Sequence, residues 1–456
     1  MNKNKFNTLK LSEKNIQNLS SLGFHEMTPI QEKSLPYILE HKDVIAKAKT
    51  GSGKTVSFGL GVLNNLNTSH FRIQSLILCP TRELAGQVAK TLKDLARFEH
   101  NIKILTLTGG VPHKPQVHSL SHQAHILVGT PGRILKHLKE ENFSANEINT
   151  LVLDEADRML DMGFSEDIHE IIEYLPKKRQ TMLFSATYPS TIETLSRTIL
   201  QDPVTVEVES THNEDIITQK FYEVEPHQKT SLVLKVFQET HKSVIIFCNT
   251  KVQCDELADS LDAFDIEPLV LHSDLDQKDR DETLILFSNK SYPVLIATDV
   301  ASRGLDIEDV DLVINYDLPF DFEVYTHRIG RTARAGKNGL AVSFIDDKNH
   351  FEDLKYFFDK EYKLLNISEI QNNEDVKLGY EFSTLYINGG KRHKLRAGDI
   401  LGALTAGIGL DKNDIGKINI LPTCSYVAIK NNMYKKAYEG LNTNKMKNKY
   451  YKVYKR

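Results

Sequence analysis

The sequence predicts an α/β fold with two tandem parallel-sheet domains and a smaller α+β domain at the C-terminal end. Two successive series of short apolar runs, each followed by a polar turn, indicate the sheets, because buried parallel strands read as continuous apolar runs. A length of 456 residues allows two or three domains. A lysine-rich final stretch with strand-like segments indicates the third domain. We expect these bounds in chain order: 1–207, 208–370, a linker at 371–378, and 379–456.

The composition is that of a soluble globular protein, with 40% hydrophobic and 26% charged residues. No run of apolar residues is long enough to span a membrane, and the first residues lack the apolar segment of a secretory signal. The four cysteines are scattered without a CxxC pair. We therefore expect neither a disulfide framework nor a zinc site, and we expect a cytoplasmic protein.

The charge is divided unevenly along the chain. The net charge is −4, but residues 377–456 carry a balance of +11 and the remainder carries −15. Such asymmetry is typical of a basic nucleic-acid-binding module attached to an acidic body. The alternative is a solvated lysine-rich tail. The strand-like segments Leu385–Ile387 and Tyr426–Ile429 count against it.

A helix is predicted to begin near Pro29, with Thr28 as its N-cap. The Gln31 amide offers a donor and an acceptor together, which suits the edge of an adenine. By itself this signal is weak, because most glutamines at helix starts face solvent.

A phosphate-binding loop is predicted after the short strand Asp43–Ala46. Its glycines let backbone N–H groups converge on phosphate oxygens at a helix N-terminus. In this motif the lysine reaches the β- and γ-phosphates and the threonine hydroxyl ligates Mg²⁺. An ordinary glycine-rich turn would not require the Lys-Thr pair. The predicted phosphate-binding residues are Thr50, Gly51, Ser52, Gly53, Lys54 and Thr55.

Several later strands end in groups suited to a phosphodiester backbone. Arg82 follows one apolar run, Gly110 follows the next, and Thr130 and Arg133 follow a third. Hydroxyl, guanidinium and backbone N–H groups at strand ends form a good surface for RNA or DNA phosphates. Taken singly, each segment is more often only a loop and a helix cap.

An acidic cluster follows the apolar run Thr150–Leu153. Asp154, Glu155 and Asp157 fall within four residues and would repel one another without a cation. Mg²⁺ prefers hard oxygen ligands and needs only one or two carboxylates beside phosphates. The alternative is a strand followed by an acidic N-cap. The upstream phosphate loop favours the metal interpretation.

The second half repeats the strand and helix alternation without a phosphate loop of its own. Arg328, Arg331 and Arg334 are spaced by three, so on one helix they would share a face. Like charges there repel unless anions face them, although a solvated basic helix is the alternative. We expect them to complete a nucleotide site from the second domain, as arginine fingers do.

These motifs, in content and order, resemble those of the DEAD-box RNA helicases across Phe6 to Leu365. The resemblance implies two RecA-like domains that close together on ATP and RNA. The matching segments are Gln31, Ala48–Thr55, Pro80–Ala85, Thr130–Arg133, Asp154–Asp157, Ser185–Thr187, Thr298–Asp306 and His327–Arg334.

The resemblance also implies roles for single residues. Gln31 would read adenine with Phe6 packed on it, Asp154 would bind the metal, and Glu155 would orient and deprotonate the attacking water. Ser185 and Thr187 would couple hydrolysis to closure. The implied catalytic residues are Lys54, Asp154, Glu155, Arg331 and Arg334, and the implied metal ligands are Thr55 and Asp154. Gly304, Asp306, Arg331 and Arg334 would approach the nucleotide from the second domain. The implied RNA path is Arg82, Gly110, Thr130, Arg133, Gln277, Arg280 and Thr298.

The tail is similar to the C-terminal RNA-binding domain of the DbpA subgroup, most clearly in Arg396–Leu404 and Asp414–Ile418. That similarity implies an RRM-like fold that recognises a hairpin of large-subunit ribosomal RNA during ribosome assembly. Tyr386 fits the aromatic position of the first RNP strand, and the second keeps only Tyr426. We expect RNA contacts from Tyr386, Lys391, Arg392, Lys394 and Arg396, with the loops 391–396 and 445–456 supplying much of the affinity.

The sequence therefore predicts an RNA-dependent ATPase that uses ATP and Mg²⁺ and locally unwinds short RNA duplexes. We expect a monomeric protein that acts on 23S rRNA and pre-ribosomal particles, with no DNA or membrane partner. One alternative is an ATP-gated RNA clamp that scarcely unwinds. The other is a DNA translocase, which the chemistry of the motifs does not exclude.

Overall fold

The computed structural model describes residues 4–48, 51–99, 101–208, 217–237, 243–299, 310–332, 338–356, 358, 361–370 and 378–456. The fold divides into two compact units. The first holds the described residues up to 208 and the second holds those from 217 onwards. Each unit is described by itself.

The first unit is built on a seven-stranded sheet in which every described pairing is parallel. Its order is β3-β4-β2-β5-β6-β1-β7. The strands are β1 Val44–Lys47, β2 Ser75–Leu78, β3 Ile104–Leu107, β4 Ile126–Gly129, β5 Thr150–Asp154, β6 Gln180–Ser185 and β7 Val204–Glu207.

Helices cover both faces of this sheet. The side chains of successive strand residues therefore pack into two separate hydrophobic cores, one on each face. Val152 packs in one hydrophobic core, whereas Leu151 and Leu153 pack in the other. The helices are α1 Glu13–Ser21, α2 Pro29–Leu39, α3 Lys54–Asn64, α4 Arg82–Leu95, α5 His113–Ser121, α6 Pro131–Lys139, α7 Ala156–Asp161, α8 Ser165–Glu173 and α9 Ser190–Ile199.

The second unit contains another seven-stranded sheet with parallel pairings, in the order β10-β11-β9-β12-β13-β8-β14. The strands are β8 Ile217–Glu223, β9 Val244–Cys248, β10 Leu269–Leu271, β11 Val294–Thr298, β12 Leu312–Asn315, β13 Gly339–Ile345 and β14 Leu364–Asn366. The helices beside it are α10 Lys229–Val236, α11 Lys251–Asp262, α12 Gln277–Ser288, α13 Phe322–Ile329 and α14 Lys348–Lys355.

The same unit ends in a small antiparallel sheet with the order β16-β17-β15-β18. Its strands are β15 Phe382–Ile387, β16 Ile415–Ile420, β17 Ser425–Lys430 and β18 Val453–Lys455, and its helices are α15 Ala397–Gly402 and α16 Asn431–Thr443. Leu385 and Val427 face a core shared with Leu441 of α16.

The predicted fold class is therefore confirmed: two parallel sheets are followed by a small α+β domain. Within the described part of the chain, no helix combines the length and apolarity needed to cross a membrane. The predicted domain bounds at 207, 370 and 378 stay predictions.

Candidate functional site

Strand order brings the predicted nucleotide residues to one edge of the first sheet. β5, β6 and β1 are neighbours, and parallel strands end at the same edge. Asp154 ends β5, Ser185 ends β6, and the phosphate loop follows β1. Ligands of open α/β sheets bind outside such carboxyl ends. The other half of the edge, from β3, β4 and β2, carries Arg82, Gly110 and Thr130.

The phosphate loop is followed by a lysine whose buried ammonium group can bind an anion. Lys54 begins α3 and only 6% of it is exposed. Its Nζ is buried, and no described residue hydrogen-bonds to it. Burying an ammonium group without a hydrogen-bond partner costs free energy. Phosphate oxygens would supply the missing acceptors for Lys54. Ser52 and Thr55 are half-buried beside it, and Thr50 lies outside the described residues.

Gln31 holds the phosphate loop in place. Its Nε2 donates to the Gly53 carbonyl at 3.1 Å, and its Oε1 accepts from the Thr28 N–H at 2.9 Å. Gly53 has a φ of 96°, and a Cβ there would overlap Gln31 Nε2, so glycine is required on both counts. Phe6 is buried in the same core as Ile30. The structure thus places Gln31 against the phosphate loop and Phe6 in the hydrophobic core on which α2 packs.

The ionised form of Asp154 is poorly stabilised by the protein itself. Its side chain is buried, and burial, opposed by Lys54 and reinforced by Glu155, raises the pKa of Asp154 to about 7. A divalent cation would offset this surplus of negative charge. Together with the unpartnered Lys54 Nζ and the Thr55 hydroxyl at the start of α3, the carboxylate fits a site for Mg²⁺ and phosphates.

Glu155 is held by a residue that the motif analysis did not single out. Arg158 Nη1 donates to Glu155 Oε2 at 2.6 Å, and both side chains are buried. Glu155 also has a φ of 52°, the left-handed conformation that non-glycine residues rarely adopt. Strained backbone of this kind persists where the surrounding structure fixes a functional group. The spacing of three residues, from the N-cap of α7 into its first turn, was the available sequence signal for this pair.

Asp157 ties the end of β5 to the end of β6. Its Oδ2 accepts hydrogen bonds from the Ala186 N–H, the Thr187 N–H and the Thr187 hydroxyl at 3.1, 2.9 and 3.0 Å. Its own N–H donates to Ser185 Oγ at 3.3 Å. Burial opposes ionisation, but the Thr187 hydrogen bond and Lys54 hold the pKa of Asp157 below its ordinary value. Ser185 and Thr187 are therefore hydrogen-bonded directly to the acidic cluster.

The predicted RNA residues of the first unit also cluster. Gly110 has a φ of 69°, and a Cβ there would overlap the Arg82 guanidinium. Arg133 donates from Nη1 to Gln116 Oε1 at 3.1 Å and from Nη2 to the Val111 carbonyl at 3.2 Å. Thr130 is the N-cap residue of α6, next to this group. The arrangement sets guanidinium groups against a tight glycine turn, which suits phosphate contacts.

Replacing Gly110 with alanine should weaken RNA binding without disturbing ATP binding. Alanine disfavours the positive φ, and its methyl group would displace the Arg82 guanidinium from the turn. The measurement is RNA affinity by fluorescence anisotropy, beside binding of a fluorescent ATP analogue. Gly86→Ala on α4 is the control, since a Cβ there meets nothing. Unchanged RNA affinity in Gly110→Ala would contradict this assignment.

The second unit groups further predicted RNA residues at the β10 and β11 end of its sheet. Gln277 begins α12, where its Nε2 donates to Asp281 Oδ1 at 2.9 Å, and Arg280 follows one turn later. Thr298 ends β11, the neighbour of β10. Gly304, Asp306 and Arg334 lie outside the described residues.

Arg328 and Arg331 do not share the expected helical face, because α13 ends at Ile329. Arg331 lies in the turn that follows, and its carbonyl accepts from the Val310 N–H at 3.3 Å. Arg328 points inward instead and is only 1% exposed. It donates from Nε and Nη2 to the Asp299 carboxylate at 2.7 and 2.6 Å, and from Nη1 to the Asp317 carbonyl at 2.6 Å. Arg328 therefore supports the fold.

The predicted RNA residues of the tail occupy two places. Tyr386 is half-buried in the middle of the antiparallel sheet. The four cations Lys391, Arg392, Lys394 and Arg396 are exposed in the loop that follows β15.

Comparisons with known proteins agree with this arrangement. The DEAD/DEAH box helicase family matches residues 28–195, and the helicase conserved C-terminal domain matches residues 228–336. The DbpA RNA binding domain matches residues 384–455. The three matches fall on the first sheet, the second sheet and the antiparallel sheet.

Similar proteins extend over almost the whole chain. The chain is 48% identical to the ATP-dependent RNA helicase DbpA of Escherichia coli over 97% of its own length and 98% of that protein. It is 39% identical to DbpA of Bacillus subtilis, with 93% and 94% covered. Among solved structures, S. cerevisiae Dbp5 bound to RNA and ADP BeF3 superposes with a TM-score of 0.73 at 31% identity, covering 80% of this chain and 96% of that one. The chain belongs to the DEAD-box family, as an ATP-dependent RNA helicase of the DbpA type.

Proposed function

We propose that this helicase hydrolyses ATP when RNA is bound and locally opens short duplexes of 23S rRNA during assembly of the large ribosomal subunit. The observation that supports this most strongly is the shared edge of the first sheet. Its β5-β6-β1 half holds a buried, unpartnered lysine beside carboxylates, and its β3-β4-β2 half holds the arginine and glycine cluster. The nucleotide and the RNA backbone would thus bind at the same edge of the first sheet.

In the proposed mechanism, Lys54 and the loop N–H groups bind the ATP phosphates, while Phe6 and Gln31 lie on the adenine side. Mg²⁺, when bound, neutralises phosphate charge, and Thr55 and Asp154 are the residues that would hold it. Glu155, positioned by Arg158, orients the attacking water and accepts its proton. Arg331 and Arg334 would stabilise the charge that develops on the γ-phosphate.

Coupling between hydrolysis and RNA would run through Asp157. This carboxylate accepts hydrogen bonds from Thr187 and lies three residues after Asp154, so a displacement of the acidic cluster would move the end of β6. The RNA would be gripped through its backbone by Arg82, Gly110, Thr130, Arg133, Gln277, Arg280 and Thr298. Such contacts position a strand without reading its sequence.

Target choice is proposed to come from the tail. The match to the DbpA RNA binding domain, the balance of +11 and the exposed loop cations support an RNA-binding role for residues 379–456. We also propose a monomer in the cytoplasm. The four free, buried cysteines are consistent with a reducing compartment.

Deleting residues 379–456 should leave an active ATPase that no longer prefers ribosomal RNA. The described hydrogen bonds and ion pair between this segment and residues 277–291, the α12 region, join polar groups that water can solvate in the shortened chain. The measurement is ATPase activation by a 23S rRNA fragment and by unrelated RNA of equal length, at several salt concentrations. Charge-driven binding should give a slope of roughly −0.7 per neutralised phosphate on single strands.

The control is the full chain in which the cations at 391, 392, 394 and 396 become glutamine. It should lose affinity for both RNAs and keep part of the preference, because its sheet stays intact. If the deleted and full chains show the same preference, the tail is only an electrostatic anchor.

A further inference from the structure

One face of the antiparallel sheet carries a row of three tyrosines. Tyr386 of β15 pairs in register with Tyr426 of β17 and with Tyr454 of β18. Directly paired residues of antiparallel strands share a face. The ring centroid of Tyr386 lies 5.3 Å from that of Tyr426 and 5.8 Å from that of Tyr454. This face is opposite to the one that packs on α15 and α16.

The β17 half of this face is covered by the α12 region, residues 277–291. Thr384 is fully buried, and its Oγ1 accepts from Asn289 Nδ2 at 3.0 Å and lies 2.6 Å from Ser291 Oγ. Arg456 Nε pairs with Glu282 Oε1 at 2.5 Å. Tyr426 is 1% exposed, and burial together with Glu282 raises its pKa. The second RNP aromatic is therefore inaccessible to a base.

The β18 half stays open, and a groove of about 550 Å³ passes around this edge strand as far as Tyr438 of α16. Tyr454 is 46% exposed there, whereas Tyr386 is half-buried under Arg456, whose Cζ lies 5.4 Å from its ring centroid. Lys455 Nζ lies 5.2 Å from the Tyr438 ring centroid. Asn388 is exposed directly after β15. The lining residues are Tyr386, Asn388, Tyr438, Tyr454, Lys455 and Arg456.

The groups in this groove complement the parts of a nucleotide. The accessible ring suits the face of a base, the amide suits its edge, and the two cations suit the phosphates. Bases stack on aromatic rings regardless of their identity, and cations attract the phosphates on either side. The groove volume lies within the range of about 300–1,000 Å³ that is usual for small-ligand sites. The matched family of this segment is itself an RNA-binding domain, which favours an RNA strand as the source of the nucleotide.

We propose that the groove at the β18 edge binds one unpaired nucleotide of an RNA strand, with its base stacked on Tyr454. Asn388 contacts the base edge, and Lys455 and Arg456 contact the backbone phosphates. The site is displaced by one strand from the usual pair of RNP strands, because the α12 region covers Tyr426. The inference rests on the proposed role of the tail in RNA binding and adds a base-stacking site to its basic loops.

The first test measures binding of a short fluorescein-labelled oligouridylate to the full chain without ATP, so that closed domains do not contribute. Tyr454→Ala should weaken binding about tenfold, whereas Tyr454→Phe should keep it. Tyr380→Ala is the matched control, because Tyr380 is exposed and lies outside both the groove and the basic loops 391–396 and 445–456. Equal affinities of Tyr454→Ala and Tyr380→Ala would overturn the proposal.

The second test needs no variant. Ultraviolet crosslinking of an oligouridylate that contains 4-thiouridine should label β15 or β18, and crosslinks confined to 391–396 and 445–452 would overturn the proposal. Millimolar uridine monophosphate should compete only weakly with the oligouridylate for binding to the protein. Full competition would make the groove a free-nucleotide site and contradict an RNA strand as its occupant. If Tyr454→Ala binds normally but tail deletion still abolishes RNA preference, the groove fails while the proposed function stands.

Discussion

Replacing Glu155 with glutamine should lower RNA-stimulated ATP turnover by about 10²–10⁴-fold, the usual loss when a general base is removed. Glutamine keeps the shape of the side chain but does not accept the proton of the attacking water. ATP and RNA should still bind, because Lys54, Arg82 and Arg133 are unchanged. The measurement is phosphate release at saturating ATP and RNA, with both affinities determined separately.

The structure complicates this experiment, because Glu155 is also the partner of a buried arginine. Removing one member of a buried pair can destabilise a protein by about 3–5 kcal/mol. The double variant Glu155→Gln/Arg158→Met removes both charges of the pair and should be folded but equally inactive. Glu173→Gln, at an exposed position of α8, is the control for a lost carboxylate. Restored turnover in the double variant would mean that Glu155 acts only through the fold.

Replacing Arg331 with alanine should lower turnover by about 10³–10⁵-fold, the range reported for arginine fingers. The expected reason is that its guanidinium stabilises charge on the γ-phosphate. The same measurement of phosphate release applies, together with chemical denaturation of the variant. Turnover near that of the unmodified chain would remove Arg331 from the site.

Arg328→Ala gives the matched contrast within the same motif. Its guanidinium is buried and bonded to Asp299, Asn249 and the Asp317 carbonyl, so its loss should reduce the free energy of unfolding by about 3–5 kcal/mol. Arg331 is itself buried, so the two variants are compared by the turnover of the folded protein and not by stability alone. A folded Arg328→Ala variant whose turnover falls as far as that of Arg331→Ala would contradict the division of roles between the two arginines.

The sequence by itself determined the features that depend on local order along the chain. Apolar runs ending in polar turns predicted the parallel strands, and the Gly-Ser-Gly-Lys-Thr spacing predicted a phosphate loop at the start of a helix, where α3 begins. Motif order identified the family, which the comparisons confirm. The basic balance of residues 377–456 predicted a separate nucleic-acid-binding module.

Only the tertiary structure decided which of these residues touch. The arginine spacing was compatible with one helical face, but Gly330 and Arg331 form a turn, and Arg328 turns inward to Asp299. Likewise, Tyr386 and Tyr426 both matched RNP positions, yet the α12 region, about 140 residues earlier in the chain, covers one of them. Local spacing fixes which side of an element a residue occupies. Hydrogen bonds and packing between segments far apart in sequence decide whether that side meets solvent, ligand or protein.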